Sequence, residues 1–438
     1  MNISHSERGA SMPDVIVIGG GLAGLMAARE LGDQNVSVTV LEARNRLGGR
    51  TWYRPFEATD NWVEMGGTWV IPQWQPCMAR EIARYGLPLK RRPSGHRAYG
   101  VIAGKRLEVG ELVPLADRKD LEQAVERLIA LARTLSPEAP LLEPPLDLDV
   151  SVAHLVRDWH VSPATQEALQ SMVINMFGAD WTMVSALSLL GWLASSQCSP
   201  EALEMADEFF FAQGTAALVQ ALADSSGATI RLNAPVAAIE QDGTYVSVRT
   251  AFREVLRARA VIVALPLNLW SQIVFAPKLH PDKMAVSRQR HAGQASKVWA
   301  LVQGLPPQFT ASGLGPGLVW VGEQEEWPQG RLLVGFGGAP LTLDLADRGQ
   351  IEKSIQFFWP EARLVACDGH DWVKDPYALG TWLAYRPGQM TEYGAHLRQA
   401  EGRCVFAGSD IAVKWTGWME GALLSGMSAA KEVQQLLL

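Results

Sequence analysis

Asp14 to Ile18 (DVIVI) is a short, apolar, β-branched run, the pattern of a strand buried on both faces. Gly19-Gly20-Gly21-Leu22-Ala23-Gly24 follows at once, and Leu25 to Leu31 (LMAAREL) has helical composition. Val36 to Leu41 (VSVTVL) reads as a second strand ending at Glu42, so the chain opens with a βαβ unit. Residues from about 76 to 210 are mostly helical in pattern, clearest over Asp120 to Leu135 and Pro163 to Ala194, with proline-rich Ser136 to Pro145 as a loop. Strands are expected at Thr229 to Leu232, Val236 to Glu240 and Tyr245 to Thr250, with Asp242-Gly243 as a hairpin turn. Val261 to Leu265 is a buried strand that Pro266 breaks. Lys297 to Gln303 and Leu332 to Phe336 are further strands, and residues 351 to 357 look helical. Cys404 to Ala407 is a last short strand ended by Gly408, and Thr416 to Leu438 reads as a final helix.

There is no repeat and no low-complexity tract. Nucleotide-type strands recur at both ends and in the middle, which predicts two domains built from discontinuous segments. Residues 1–75, 212–275 and 375–438 are assigned to a dinucleotide-binding domain, and 76–211 and 276–374 to a substrate domain. A length of 438 residues suits two packed domains, and 48% hydrophobic with 19% charged residues is globular.

The net charge of −7, without a block of Lys or Arg, argues against nucleic acid or an acidic membrane as a partner. The four cysteines, Cys77, Cys198, Cys367 and Cys404, are far apart and form no C-x-x-C pair. That argues against a disulfide framework and against structural zinc. The histidines offer no metal-like pair (His5 and His160, for example, sit in unrelated segments), so no metal is expected. Met1 to Pro13 lacks an apolar core and reads as a loose tail, not a signal peptide. The longest apolar stretch, Met183 to Ala194, is too short to span a bilayer. The expectation is a soluble, cytoplasmic protein. Sixteen tryptophans are many; most are expected in cores, with a few available for an aromatic ligand site.

Gly19, Gly21 and Gly24 form G-x-G-x-x-G between a strand and a helix. The first glycine permits the tight turn, the second lets backbone approach a pyrophosphate, and the third lets helix and strand pack closely. Glu42 ends the second strand, where a carboxylate binds a ribose hydroxyl. These residues do not separate NAD from FAD. The following run, Glu42-Ala43-Arg44-Asn45-Arg46-Leu47-Gly48-Gly49-Arg50-Thr51, does. Its two glycines allow close backbone approach, and Arg50 can neutralise a pyrophosphate.

That run matches the E-A-x-x-R-x-G-G-R-x pattern of the flavin-containing amine oxidases, monoamine oxidases among them. The resemblance continues along positions 14 to about 430. Met65-Gly66-Gly67-Thr68-Trp69-Val70 resembles the family's flavin-contacting element, and Pro235-Val236 the strand whose backbone contacts adenine. Val184-Ser185-Ala186-Leu187 is similar to a helical segment of monoamine oxidases. Phe406-Ala407-Gly408-Ser409-Asp410 and Trp415-Thr416-Gly417-Trp418-Met419-Glu420-Gly421-Ala422 resemble F-A-G-[TS]-[ED] and W-[ST]-G-Y-M-E-G-A. Gly417, Gly421 and Ser425 fall at i, i+4, i+8, which predicts one small-residue helix face. Met419 lies near the start of that helix, whose positive end would face a flavin and favour its reduction.

The resemblance implies an α/β fold in which an FAD-binding, Rossmann-like domain of the glutathione-reductase type interleaves with an α+β substrate domain. It implies oxidation of an amine to an imine, with electrons passing through FAD to O2 and giving hydrogen peroxide. Lys297 takes the position of a lysine that holds a water near the flavin and assists reoxidation, although a strand lysine taken alone is most often a solvated residue. Trp382 and Trp418 take the positions of the family's two cage tyrosines; either Trp alone is as often core packing. Met176 and Phe177 are candidates for the substrate pocket.

Two departures matter. Thr381 stands where mammalian-type monoamine oxidases carry the cysteine that binds FAD covalently, so FAD is expected to be noncovalent. The Trp/Trp pair in place of Tyr/Tyr favours a small hydrophobic or aromatic amine. Alternatives are a dehydrogenase of the same fold with another acceptor, and an L-amino-acid oxidase, for which Arg386 is the available cation. A flavin-binding scaffold without turnover and a plain NAD-dependent dehydrogenase remain as further alternatives. A homodimer is compatible with the sequence.

Overall fold

The computed structural model describes residues 12–57, 59–92, 97–341 and 343–438, with the side chains of 203 and 204 left aside. Most of the expected N-terminal tail, with His5, lies outside the described residues.

The β-branched run at the start forms strand Val15–Ile18, the centre of a five-stranded sheet. Its order is Thr229–Arg231, Val38–Leu41, Val15–Ile18, Ala260–Val263 and Cys404–Phe406, and every pairing is parallel. Strands this apolar need cover on both faces. Val15 and Val17 pack with Ala27, Ala28, Ala429 and Val433, from helices Leu22–Gly32 and Met419–Leu437. Ile16 and Ile18 join the large core that also holds Val246, Val248 and Trp270. The two helices meet closely, since a Cβ on Gly426 would lie 2.3 Å from the Ala23 carbonyl oxygen.

A four-stranded sheet, Val255–Ala258, Val246–Thr250, Val236–Gln241 and Val274–Ala276, lies beside this core. Its hairpin turns at Asp242, whose carboxylate accepts from the Thr244 and Tyr245 N–H groups. A seven-stranded mixed sheet runs Arg363–Gly369, Ser296–Gln303, Gly330–Gly337, Trp320–Trp327, Phe309–Gly313, Arg97–Ile102 and Lys105–Arg106. Among the described residues, no helix is long and apolar enough to cross a membrane.

Three expectations need correction. Residues 76 to 210 are not uniformly helical: Leu89–Arg91, Arg97–Ile102, Lys105–Arg106 and Phe209–Phe211 are strands. Arg97–Ile102 pairs with the distant Phe309–Gly313, a tertiary partner that no local period reveals. The stretch Pro163 to Ala194 is two helices, Pro163–Phe177 and Ala186–Ser195. Gly178, at φ 65°, stops the first, and the Ser185 hydroxyl caps the second. The final helix starts at Met419, not Thr416. Gly417 (φ 82°) lies in the turn before it, so Gly417, Gly421 and Ser425 do not share one helix face. Gly421 instead faces the Trp415 carbonyl oxygen, and the Ser425 hydroxyl accepts from the Gly408 N–H.

Candidate active site

The carboxyl ends of the parallel strands open into a cavity of about 780 Å³. Gly19 and Gly21 form its first turn. A Cβ on Gly19 would lie 2.5 Å from the Ala264 carbonyl oxygen, and one on Gly24 would lie 2.0 Å from that of Gly19. Gly24 therefore sits behind the wall and sets how closely helix and strand approach. Gly21 is the N-cap of helix Leu22–Gly32, with no side-chain cap and no acid in the first turn. The helix thus presents unpartnered N–H groups and its positive end to the cavity, which fits a pyrophosphate. A Cβ on Gly21 would meet nothing nearer than the Gly49 Cα at 3.9 Å, so the cavity is open at Gly21, with the Gly48-Gly49 turn packed beside it.

The buried Glu42 carboxylate accepts the Gly20 and Arg44 N–H groups, each at 2.8 Å. Glu42, Ala43, Arg44 and Val236 line the cavity around it. Arg44 pairs with Asp375 at 2.6 Å. Arg50 also lines the cavity, but it is not a free cation. It donates to the Thr381 carbonyl at 2.7 Å, to the Ser409 hydroxyl at 3.0 Å and to the Asp410 carboxylate at 2.7 Å. Burial would raise the Asp410 carboxyl, but the Arg50 charge, His291 and the Leu267 N–H hold it below its ordinary value. Arg50 thereby ties the Gly48–Thr51 turn to the segment around Gly408 and Ser409, both of which also face the cavity.

Lys297 is 5% exposed, which removes the reading of a solvated strand lysine. Its ammonium donates to the Glu64 carbonyl at 2.8 Å, the Gly66 carbonyl at 2.7 Å and the Thr68 hydroxyl at 2.5 Å. All three hydrogens are used. The turn Gly66-Gly67-Thr68-Trp69 is thus folded over Lys297, and the Lys297 Nζ lies 5.3 Å from the Trp69 ring. Gly67 packs on Met419, so this turn meets the start of the last helix. Burial pushes the Lys297 ammonium well below the usual lysine range, against the opposing charge of Glu64; burial likewise raises the Glu64 carboxyl. Glu64 was not singled out in the sequence. Its carboxylate accepts from the N–H and hydroxyl of Thr215, at the start of helix Thr215–Ser225, a partner far away in the chain.

Sheet register supplies more of the wall. Lys297 is paired across strands with Phe336, and Phe336 with Trp320, so the three form one row. Trp382 packs edge-on against Phe336 at 5.7 Å and donates its indole N–H to the Met176 carbonyl at 2.7 Å. Trp418 packs at 6.0 Å against Trp192 instead. Met176, Phe177, Trp382 and Trp418 all line the cavity. The same holds for Asn175, Trp192, Trp320, Phe336, Arg92 and Asp207, none of which stood out in the sequence. Of the residues expected at the site, Gly24 alone is not on the wall. Arg386 donates to the Arg290 carbonyl and is not among the lining residues.

Among the described residues, neither a cysteine nor a histidine lines the cavity, and Thr381 accepts the Ala295 N–H through its hydroxyl. Elsewhere the fold joins His280, Asp282 and His396, whose ligand atoms lie within 4.8 Å of one another. The two imidazoles are stacked at 3.8 Å and 17°, so their in-plane lone pairs do not converge on one point.

The family model for flavin containing amine oxidoreductases matches residues 22–434. The chain is 31% identical to (S)-6-hydroxynicotine oxidase of Paenarthrobacter nicotinovorans, over 96% of this chain and 99% of that protein. It is also 31% identical to nicotine dehydrogenase of Pseudomonas putida (strain DSM 28022 / S16), over 100% of this chain and 91% of that protein. The structure of cyclohexylamine oxidase from Brevibacterium oxydans IH-35A shares the fold, with a TM-score of 0.83 and 24% identity over 97% of this chain and 99% of that one. A glycine-lined dinucleotide slot continuous with an aromatic pocket, on a chain matched along nearly its whole length, makes this protein an FAD-dependent member of the flavin-containing amine oxidoreductase family.

Proposed function

We propose that the enzyme oxidises small hydrophobic or aromatic amines with noncovalently held FAD, and that O2 is its electron acceptor, reduced to hydrogen peroxide. The observation that carries this reading is the wall of Phe177, Trp192, Phe336, Trp382 and Trp418 that continues the cofactor slot. Bound FAD supplies the two-electron acceptor for the carbon next to the amine nitrogen. The residues do the rest. Trp382 and Trp418 attract an approaching ammonium by their ring faces. The apolar surroundings then disfavour its charge, leaving the neutral amine that reacts. Activity should therefore climb with pH through the pKa of the bound amine. Lys297, once neutral, offers a lone pair at Nζ for holding or receiving a proton during reoxidation.

The division into a cofactor domain (1–75, 212–275, 375–438) and a substrate domain (76–211, 276–374) is part of the proposal. It is supported by the parallel sheet drawing its strands from the first set and the mixed sheet from the second. A cytoplasmic location is supported by the four cysteines, all free. Noncovalent attachment is supported by Thr381 and by the lack of a lining cysteine or histidine among the described residues; acid precipitation should leave yellow flavin in the supernatant.

The named bacterial relatives include both an oxidase and a dehydrogenase, which favours one second reading, electron transfer to another acceptor. Oxygen uptake during amine turnover separates the two. Equal consumption of amine and O2 with peroxide formed supports the oxidase. Turnover that needs an added artificial acceptor overturns it.

A further inference from the structure

The cavity wall carries a third ion pair, besides those of Arg44 and Arg50. Arg92 is 2% exposed. Its Nε and Nη2 donate to the Glu323 carbonyl at 3.0 and 2.8 Å, and its Nη1 pairs with Asp207. The guanidinium carbon lies 5.5 Å from the centre of the Trp320 ring. Trp320 lies 5.9 Å from Phe336, and Phe336 lies 5.7 Å from Trp382. Arg92, Asp207, Trp320, Phe336 and Trp382 all line the same cavity. A continuous row of three rings therefore leads from a cage tryptophan to a buried, charged end.

A buried guanidinium is costly unless paired, and this one is paired. It has five N–H groups, of which three take part in the bonds named above. A wholly apolar substrate would bring hydrocarbon against this polar end without any return. A substrate carboxylate would meet Asp207, and a second ammonium would meet Arg92. A neutral carbonyl, hydroxyl or ring nitrogen meets neither penalty and can accept from the guanidinium or donate to the carboxylate.

We infer that Arg92 and Asp207 form a second, specificity-determining subsite, and that the preferred amine carries a neutral hydrogen-bonding group on its apolar body, remote from the oxidised carbon. This rests on the reading of Trp382 and Trp418 as the amine slot.

The test uses the FAD-loaded enzyme and an arylalkylamine series that differs only at the far end: hydrogen, carboxamide, carboxylate or ammonium. The rate of anaerobic flavin reduction against amine concentration gives the second-order rate constant for each. The carboxamide is expected to exceed the unsubstituted amine by about tenfold, the size of one good hydrogen bond. In Arg92→Lys, which keeps the charge but loses the planar fork, and in Asp207→Asn, that ratio should fall towards one. Should Arg92→Lys fail to retain FAD, Asp207→Asn carries the test alone. Preference for the unsubstituted, carboxylate or ammonium form, or an unchanged ratio in Asp207→Asn, overturns the inference while leaving the proposed amine oxidation intact. Failure of every amine to bleach the flavin overturns the proposed function itself, and the inference with it.

Discussion

Around Gly19, Gly21 and Gly49 the cavity wall is backbone; around Trp382, Trp418 and Phe336 it is side chain. The first region works by removing atoms, since each glycine makes room for a close approach. The second works by filling space, with rings that brace one another. Where backbone packs on backbone, as at Gly19, an added atom is not tolerated, whereas a side-chain wall can be retuned ring by ring. Cofactor binding should therefore be the brittle property of this enzyme, and amine preference the adjustable one.

Gly24→Ala should break the contrast most severely. Its new Cβ meets a backbone oxygen at 2.0 Å, so helix and strand must part, at a cost of about 3 kcal/mol or more. The visible absorbance per protein should collapse, while Trp418→Ala should stay yellow. Next is Arg50→Met. It leaves Asp410 buried and unpaired, which costs about 3–5 kcal/mol by the usual penalty for breaking a buried pair. The double variant with Asp410→Asn should recover part of the lost melting temperature; no recovery would mean that Arg50 does not act through Asp410.

His291 sharpens the comparison by pH. It is fully buried behind the Arg50–Asp410 pair, and burial pushes its imidazole down to about 4. Its Nδ1 accepts the Gly293 N–H at 3.1 Å, and its Nε2 has no partner. The unfolded chain takes up this proton near the ordinary histidine value, so stability is lost as pH falls from about 6.5 to about 4, by about 3 kcal/mol. Urea unfolding of wild type against His291→Asn at both ends of that window reads the difference. Equal slopes would contradict the assignment.

Two smaller effects belong to the other region. Lys297→Met should slow flavin reoxidation by O2 by about a hundredfold, the lower range for a positioned proton-transfer group. Anaerobic reduction should change much less; a reversed pattern would move Lys297 to the amine half-reaction. Trp382→Ala and Trp418→Ala should each lower kcat/KM for an aromatic amine by about tenfold, or about 1.4 kcal/mol, with FAD retained. Loss of FAD in either would make the two regions one unit.

The same contrast explains what the sequence revealed. The cofactor slot was legible because its parts are contiguous: a strand, three glycines, a helix start and Glu42 closing the next strand. Each of these has a local physical reason. The aromatic end was half legible. Trp418 follows from its motif, but Phe336 reaches the site only through strand pairing with Lys297, and Trp320 only through pairing with Phe336. Trp320–Trp327 itself was not foreseen, because its run of glutamates hides the alternation. Arg92 and Asp207 meet across 115 positions, and Glu64 reaches Thr215 across 151. The last helix starts three residues later than the sequence predicts, because Gly417 looks like part of its small-residue face but turns the chain before it.

The most direct test is the visible spectrum of the purified protein, repeated without oxygen after single additions from a broad amine panel. A flavin band that bleaches with hydrophobic or aromatic amines, and returns when air is admitted, is the result expected here. A flavin band that no amine bleaches would contradict amine oxidation and leave only a flavin-binding fold.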